Sequence, residues 1–573
     1  AVTVTDWLKI QARGNVDYTN DKFQQKMYAT TSVDIAGTNG RYIDLNHTEM
    51  LLYGDVMAMV NKKWNDWSLN AAVGSSINST RVDELRLDSK TASLYYPNVF
   101  TVANINMSTS AGCDEIINQR RTLQSVFATA QVGWKESLYL DVTARNDWSS
   151  TLAFTKHKNK GFFYPSVGLS WIMNNTLDMP EWINFGKLRG SWSKVGNDIP
   201  LYVSNPVDMI GAGGKIIVNE AAAFDNLKPE LSTSWEVGTE WKFFNYRLDL
   251  DFTYYKTNTK NQLLKMPSFA GAPYKYYYVN AGNIQNEGLE ISLNGAIFQS
   301  HDPQGFNWNA TAQFSLNRNK IIDLYPGVTL YDIKTLDAIQ IVAAQGSYYG
   351  DIYGQTFLRV TDKNSPHYGK VIVGEDGLPL ISTEKSKVGN QSPDWMLGLT
   401  NNFSYKGFNL SFLIDFRIGG DIYSATASNL FVRGNAAGTV VNGERQDFVV
   451  PNTVVQKDGG YVDNNVPVTH QNYWERIGST GNYGLPEVFT YDATNIRLRN
   501  ITLGYTFNKN MLKKTPFQRL NLSATCNNVW MIHYNLPGID PESVSATNTN
   551  ATGFENGAAP TSRSFTFNVT VGF

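Results

Sequence analysis

The strongest constraint on the fold is an alternation of apolar and polar residues that recurs along the chain. In YRLDLDFTYYK (246–256) every second residue up to Tyr254 is apolar or aromatic, and most of the residues between them are charged or polar. The same period appears in LYLDVTARND (138–147), FNLSFLIDFR (408–417) and SFTFNVTVGF (564–573), the last of which ends on Phe573. Because successive side chains of a strand point to opposite faces, the pattern predicts strands with one apolar and one polar face.

The connections between these strands alternate between short and long. The short ones include NDW (65–67), WKES (134–137), FNY (244–246) and YKG (405–407). A soluble sandwich has no need for this asymmetry, whereas outer-membrane barrels have tight periplasmic turns, long extracellular loops, and strands that face lipid on one side. The sequence therefore predicts an all-β fold, a transmembrane antiparallel β-barrel, with about sixteen strands present. We expect long extracellular loops at 19–47, 81–118, 149–161, 198–230, 259–280, 321–392, 421–489 and 533–561.

Composition agrees with this class of protein. Charged residues are 17% of the chain and aromatic residues 13%, and the mean hydropathy is −0.31. No run of about 18 apolar residues occurs, which excludes a transmembrane helix. A net charge of −2 gives no general attraction to nucleic acid. Only Cys113 and Cys526 are present, so a disulfide framework is excluded but one bridge is not.

No catalytic or metal-binding motif stands out. The six histidines are scattered without H-E-x-x-H spacing, and C-x-x-C, G-x-S-x-G and phosphate-binding motifs do not occur. We therefore expect neither an enzyme nor a cofactor or metal site. Two tyrosine clusters in the predicted loops are better candidates for substrate or partner contact, because aromatic faces stack on sugars or peptide side chains while their hydroxyls form hydrogen bonds. These candidates are Tyr274, Tyr276, Tyr277, Tyr348, Tyr349 and Tyr353.

Several longer phrases resemble one family of transporters. They include LRGSWSKVGND (188–198), LKPELSTSWEVGTEWKFF (227–244), NAGNIQNEGLEISLNG (280–295), SPDWMLGLTNNFSYKGFNLSFLIDFRIGGDIYSAT (392–426), YDATNIRLRNITLGYTF (491–507) and CNNVWMIHYNLPGIDPE (526–542). In this collinear order they resemble the SusC/RagA-like TonB-dependent transporters of Bacteroidetes outer membranes. The resemblance implies a barrel of about 22 strands with a plug, a SusD-like surface lipoprotein as a lid, and import of oligosaccharides or peptides powered by the TonB-ExbB-ExbD complex.

The chain differs from that plan at its start. No plug and no TonB-contacting segment can be recognised, and the strand count is about six short of the family's. Residues 1–573 are therefore expected to be the C-terminal part of the barrel. The plug and the remaining strands would come from an upstream segment or another chain.

Polar residues on the non-lipid faces are predicted to face the lumen or the plug. They are Arg145, Arg247, Asp249, Asp251, Glu290 and Asp415. In NIRLRNITLGYTF the apolar phase shifts between Leu498 and Ile501, which predicts a β-bulge near Arg499 and Asn500.

Two other functions remain open at this point. One is a TonB-dependent receptor for a siderophore, metal chelate or vitamin, without a lipoprotein lid. The other is a passive porin of about sixteen strands. The very long loops argue against the porin, and the SusC-like phrases argue against the siderophore receptor.

Overall fold

The computed structural model describes residues 1–90, 93–107, 112–158, 161–210, 214, 216–224, 226–268, 271–302, 304–336, 338–478, 484–544 and 550–573. These residues form two compact units. The first comprises Ala1–Leu177, Lys187–Val237 and Thr257–Asn283, and the second comprises Asp178–Gly186, Gly238–Lys256 and Ile284–Phe573.

Most described residues lie in β-strands. The first fifteen strands are β1 (Val2–Thr5), β2 (Leu8–Met27), β3 (Arg41–Trp64), β4 (Trp67–Asp88), β5 (Gly112–Trp134), β6 (Leu138–Ser149), β7 (Phe162–Ile172), β8 (Ile183–Asn197), β9 (Met209–Ile210), β10 (Ile216–Ile217), β11 (Ala221–Ala222), β12 (Glu230–Phe243), β13 (Leu248–Pro267), β14 (Tyr276–Phe298) and β15 (Asn307–Asp323).

The later strands include both long strands and short ones within connections. They are β16 (Leu330–Leu336), β17 (Ile339–Ala344), β18 (Asp351–Phe357), β19 (Val371–Val373), β20 (Ile381–Asn390), β21 (Trp395–Tyr405), β22 (Phe408–Ile418), β23 (Asp421–Ser424), β24 (Phe448–Val449), β25 (Thr453–Lys457), β26 (Gly460–Asp463), β27 (Pro467–Val468), β28 (Thr490–Asp492), β29 (Asn495–Thr506), β30 (Arg519–Tyr534), β31 (Phe554–Glu555) and β32 (Ser564–Gly572).

Helices are few and short. They are α1 (Val33–Ala36), α2 (Ala425–Val432), α3 (His470–Gly478), α4 (Pro486–Phe489) and α5 (Lys509–Leu512). Ser424 caps α2 by accepting a hydrogen bond from the Ala427 amide at 3.0 Å, and the Thr469 hydroxyl does the same for the Asn472 amide of α3. None of the helices in the described part of the chain is long and apolar enough to span a membrane.

The first unit contains an antiparallel ladder in chain order. Strands β1 to β8 each pair with the next, and β2 and β3 stay in register over the whole of β2, from Leu8↔Val60 to Met27↔Arg41. The hairpin between β3 and β4 closes at Trp64↔Trp67 around Asn65, whose φ is 50°. A positive φ at this point is typical of the two-residue turns whose twist matches that of the flanking strands.

The second unit contains a comparable ladder. Strands β15, β21, β22, β29, β30 and β32 pair in that order, all antiparallel. The turn between β21 and β22 has Lys406 and Gly407 at φ 48° and 88°. A Cβ on Gly407 would lie 2.7 Å from the Thr506 carbonyl oxygen, so this turn requires glycine.

The strands extend further than the sequence pattern predicts. Residues 19–27, 41–47, 81–88 and 112–118 were assigned to long loops but continue β2, β3, β4 and β5. In these stretches both faces carry polar side chains, so the apolar alternation ends although the backbone ladder does not. The connections themselves are correspondingly shorter, for example 28–40 in place of 19–47.

The strand that covers most of YRLDLDFTYYK (246–256) begins later than its alternation predicts. Phe244, Asn245 and Tyr246 all have φ between 55° and 60°, and Arg247 completes the turn. The strand therefore starts at Leu248. The Arg247 guanidinium donates to the carbonyl oxygens of Ala296 at 3.1 Å and Ile297 at 3.4 Å.

The predicted β-bulge is confirmed. Ile414 pairs with Leu498 and Leu413 pairs with Asn500, so Arg499 is the extra residue. The shift keeps Leu498 and Ile501 on one face of β29 despite their odd spacing.

The connections of the second unit have hydrophobic cores of their own. One large buried cluster joins strands β17, β18, β23 and β31 with helices α2 and α4, and contains Ile339, Ile341, Ile352, Tyr423, Ala425, Ala427, Phe489, Ala551 and Phe554. These loops are folded structures, a feature that the alternation pattern did not predict.

Candidate functional site

A polar cavity of about 310 Å³ lies in the second unit where β15, β21, β22 and β29 meet their long connections. We call it the Tyr348 pocket. Its lining residues are Asn317, Arg318, Asn319, Tyr348, Asn390, Ser392, Pro393, Asp394, Gly419, Gly420, Asp421 and Asp492.

Tyr348 presents the aromatic surface of this pocket. Its side chain is 46% exposed, and the Arg318 guanidinium lies 5.9 Å from its ring centre. Arg318 donates to Asp394 at 2.8 Å, which holds the guanidinium in place. An exposed ring with a fixed donor beside it suits a ligand that has both a flat face and hydrogen-bonding groups.

Two further carboxylates complete the lining. Asp421 accepts a hydrogen bond from the Asn390 amide at 2.8 Å, and Asp492 accepts one from the Thr494 amide at 2.7 Å. Burial raises the pKa of Asp421, and the negative charge of Asp492 raises it further, although the Asn390 hydrogen bond opposes both effects. A ligand hydroxyl or ammonium group would relieve this repulsion by donating to the carboxylates.

One lining atom has no partner inside the protein. The side-chain oxygen Oδ1 of Asn319 is buried and forms no hydrogen bond. A buried acceptor without a partner costs free energy. In the described parts of the chain no group of three or more His, Cys, Asp or Glu side chains could hold a metal ion.

Of the six predicted tyrosines, Tyr348 lies in this pocket. Tyr349 packs against the cluster of Ile284, Ile321 and Leu324, where burial raises its pKa. Tyr353 lies within β18, paired with Gln340.

The other three tyrosines lie in the first unit. Tyr274 is 42% exposed in the connection before β14, and Tyr277 pairs with Ala222 of β11. The Lys265 ammonium lies 3.4 Å from the centre of the Tyr276 ring, a cation–π contact.

Asp415 belongs to a network of ion pairs on the polar face of β22 and β29. It accepts hydrogen bonds from Nε and a terminal nitrogen of Arg499 at 2.8 and 2.6 Å, and Arg499 also pairs with Glu542 from the connection after β30. Next to it, Arg497 pairs with Asp540 of the same connection, and both side chains are about 95% buried. The network therefore attaches the 533–561 connection to the strands.

The remaining predicted polar residues have varied surroundings. Arg145 donates to Asp147 at 2.7 Å and to Ser125 at 2.6 Å. Asp249 has a buried carboxylate oxygen without a partner, Asp251 accepts from Thr253 at 3.4 Å, and Glu290 is exposed.

The polar residues around Tyr348 carry no binding motif of their own in the sequence. Asp394, Asp421 and Asp492 each belong to a phrase that carried the family resemblance, SPDW, GGDIYS and YDATN. All three lie close to an end of a long strand. This position is the feature of the sequence that could have marked them as candidate pocket residues.

These features define an all-β protein of long antiparallel strands, with a polar pocket where strands of its second unit meet their long connections. Residues 3–529 match the family described as TonB dependent receptor-like, beta-barrel, and the chain belongs to that family. The family is one of transport receptors and not of enzymes, and its members are located in the outer membrane.

Curated relatives are similar over most of this chain. It is 28% identical to TonB-dependent receptor P3 of Formosa agariphila over 491 residues, which cover 79% of this chain and 45% of the relative. It is 25% identical to TonB-dependent receptor SusC of Bacteroides thetaiotaomicron, over 75% of this chain and 42% of SusC. The chain thus spans less than half the length of these relatives.

Among solved structures, the RagAB peptide importer in its open-open state aligns with the whole chain. The TM-score is 0.74 at 18% identity, and the alignment covers 60% of the other chain. The RagAB peptide transporter gives a TM-score of 0.73. At this identity the similarity establishes the fold alone.

Proposed function

We propose that this chain forms the barrel portion of an outer-membrane importer that takes up oligosaccharides or peptides. The observation that carries the proposal is the fold, which aligns with a peptide importer over the full chain. Membership of the TonB-dependent receptor family supports the proposal that the TonB-ExbB-ExbD complex powers import. In this proposal the plug and the remaining strands come from a segment outside residues 1–573 or from another chain.

The Tyr348 pocket supports a polar substrate. Its exposed ring, its ion-paired guanidinium and its three carboxylates offer stacking together with both donors and acceptors. Sugar hydroxyls and the amino groups of peptides can both form hydrogen bonds with these groups. Tyr274, Tyr276, Tyr277, Tyr349 and Tyr353 remain proposed contacts for substrate or lid. Arg145, Arg247, Asp249, Asp251, Glu290 and Asp415 remain proposed groups facing the plug or lumen.

A surface lipoprotein of the SusD type is the proposed partner. An apolar hairpin in the first unit supports a protein contact, because Met209, Ile210, Ile216 and Val218 are each at least 60% exposed. Neighbouring exposed apolar residues in a loop are typical of a docking surface.

The test is direct binding. Purified full-length protein would be titrated calorimetrically with a panel of neutral oligosaccharides, short peptides, and siderophores or vitamins. Binding of an oligosaccharide or peptide supports the proposal, and binding confined to a metal chelate or vitamin would favour the lid-free receptor.

Site specificity needs a matched pair of variants. Tyr348→Ala should weaken binding by about tenfold or more if the ring stacks on the ligand. Tyr405→Ala removes a tyrosine of similar exposure, 48%, from the other end of β21 and should leave binding unchanged. If the two variants bind the ligand with equal affinity, the Tyr348 pocket is not the substrate-binding site.

A further inference from the structure

The Tyr348 pocket has an excess of negative charge. Its described lining contains three carboxylates, from Asp394, Asp421 and Asp492, and one cationic side chain, Arg318. The Arg318 guanidinium pairs with Asp394 at 2.8 Å, so these two charges neutralise each other. Asp421 and Asp492 therefore remain as two negative charges in the lining.

Asp421 and Asp492 lie opposite each other on a pair of short strands. They are directly opposite residues in the antiparallel pairing of β23 with β28. Side chains at such positions lie on the same face, with Cβ atoms about 5 Å apart, and like charges there repel each other. The fold therefore holds two carboxylates close together in the pocket lining, at a cost in free energy.

The repulsion is also evident in the protonation of Asp421. Burial raises the pKa of Asp421, and the negative charges of Asp492 and Asp394 raise it further. The Asn390 amide and the Lys387 ammonium act in the opposite direction. Lys387 itself forms an ion pair with a different carboxylate, that of Asp351, at 2.7 Å.

Both carboxylates can be reached by a ligand. In the described parts of the chain, neither Asp421 nor Asp492 forms an ion pair with a lysine, arginine or histidine. One oxygen of each accepts a backbone hydrogen bond, and no described residue donates to the other oxygen. Asp492 is exposed, and the second oxygen of the partly exposed Asp421 keeps accessible surface.

The rest of the lining leaves room beside these charges. Gly419 and Gly420 precede Asp421 and carry no side chain, and a Cβ on Gly419 would lie 2.5 Å from a carboxylate oxygen of Asp394. The Tyr348 ring, 46% exposed, offers its face to a cation or to a methylene chain. An aromatic face next to two carboxylates without counter-ions suits a positively charged group on an apolar stem.

We propose that the Tyr348 pocket binds the ammonium group of a lysine side chain in a peptide. The ammonium would donate to Asp421 and Asp492, while its methylene stem packs on the Tyr348 ring. Neutral and acidic ligands lack this charge. The inference rests on the proposed function and narrows its substrates to basic peptides.

Calorimetric titration of the purified full-length protein at neutral pH tests this selection by charge. The probes are the end-blocked peptide Gly-Lys-Gly, the same peptide with its lysine ε-amine acetylated, and end-blocked Gly-Glu-Gly. We expect the lysine peptide to bind about tenfold or more tightly than the other two, because acetylation removes the charge and glutamate reverses it. A trimer of glucosamine is the competing cationic probe, and tighter binding of this trimer than of the lysine peptide would overturn the choice of a peptide.

Matched variants assign the selection to the two carboxylates. Asp421→Asn and Asp492→Asn keep the shape of the side chain and remove one charge each. Each should lower the affinity for the lysine peptide about tenfold and leave that for the acetylated peptide unchanged. Asp376→Asn removes a carboxylate of the same unit outside the lining residues and should change affinity less than about twofold. Near-ultraviolet circular dichroism checks that each variant is folded.

The outcomes separate this inference from the proposed function. Equal affinity for the lysine peptide and its acetylated form, or unchanged affinity in both pocket variants, would overturn the selection by charge. Binding of neutral peptides or oligosaccharides in place of the lysine peptide would do the same and leave the proposed function standing. If no peptide or oligosaccharide binds at all, both the inference and the proposed function fail.

Discussion

At the residue scale, the pairing of Arg497 with Asp540 shows how a charged group can be buried in this fold. The carboxylate also accepts from the Thr561 hydroxyl at 2.6 Å and from its amide at 3.1 Å. Burial alone would raise the pKa of Asp540, but the hydrogen bonds from Arg497 and Thr561 outweigh it and lower the pKa. The charged form of Asp540 is therefore the one that stabilises this connection.

Asp540→Ala should destabilise the protein by up to about 3–5 kcal/mol, because the buried Arg497 would lose its closest carboxylate and keep only Glu542, at 3.6 Å. Asp463→Ala is the control, since Asp463 forms a comparable pair with Lys370 at 2.6 Å but is 73% exposed. Its effect should be far smaller. Guanidinium unfolding in lipid vesicles would measure both, and similar losses would contradict the buried role of Asp540.

The stability that the Arg497–Asp540 pair contributes depends on pH. Since folding lowers the pKa of Asp540, its stabilisation is present above the unfolded pKa of about 4 and is lost as the pH falls below it. The stability difference between the wild type and Asp540→Ala should therefore shrink in acid, measured by unfolding at pH 7 and pH 3. A difference that stays constant or grows would contradict this linkage.

At the element scale, the existence of the strands could be predicted from the sequence, whereas their ends could not. The alternation depends on lipid on one side, so it stops where both faces meet water, as in residues 19–27 of β2. The bulge at Arg499 was predictable because a phase shift is itself a change in alternation. The short connection at FNY (244–246) was also predicted, but its extension to Arg247 was not, because Tyr246 and Arg247 continue the apolar and polar alternation of the strand that follows.

The face assignment gives a prediction at this scale. Val167, in the middle of β7, is 42% exposed on the apolar face, where arginine near the bilayer midplane should cost about 2–4 kcal/mol. Ser191 of β8 lies opposite Gly168 on the other face and is exposed. Ser191→Arg should cost much less than Val167→Arg in vesicle unfolding experiments, and the reverse order would mean that the faces are exchanged.

At the scale of the whole molecule, the sequence predicted the class of protein better than its binding sites. The Tyr348 pocket joins residues from five separate segments, around 318, 348, 392, 420 and 492. No local pattern marks such a set, because spacing along the chain carries no information about neighbours made by distant strand pairing. The predicted tyrosine clusters include Tyr348, which lines the pocket, and also Tyr349, which packs into a hydrophobic cluster.

The proposed lipoprotein lid gives a prediction for the assembled protein. If the hairpin of β9 and β10 contacts the lid, Ile210→Asp combined with Ile216→Asp should place two charges in an apolar interface and reduce recovery of the lipoprotein about tenfold or more. Ile117→Asp is the control, because Ile117 is 71% exposed in the same unit but lies on β5. Affinity purification from native membranes with quantitative mass spectrometry would measure the lipoprotein recovered with each variant. Equal recovery from the double variant and the wild type would exclude this hairpin as the docking surface, and absence of any lipoprotein from the wild type would count against the lid itself.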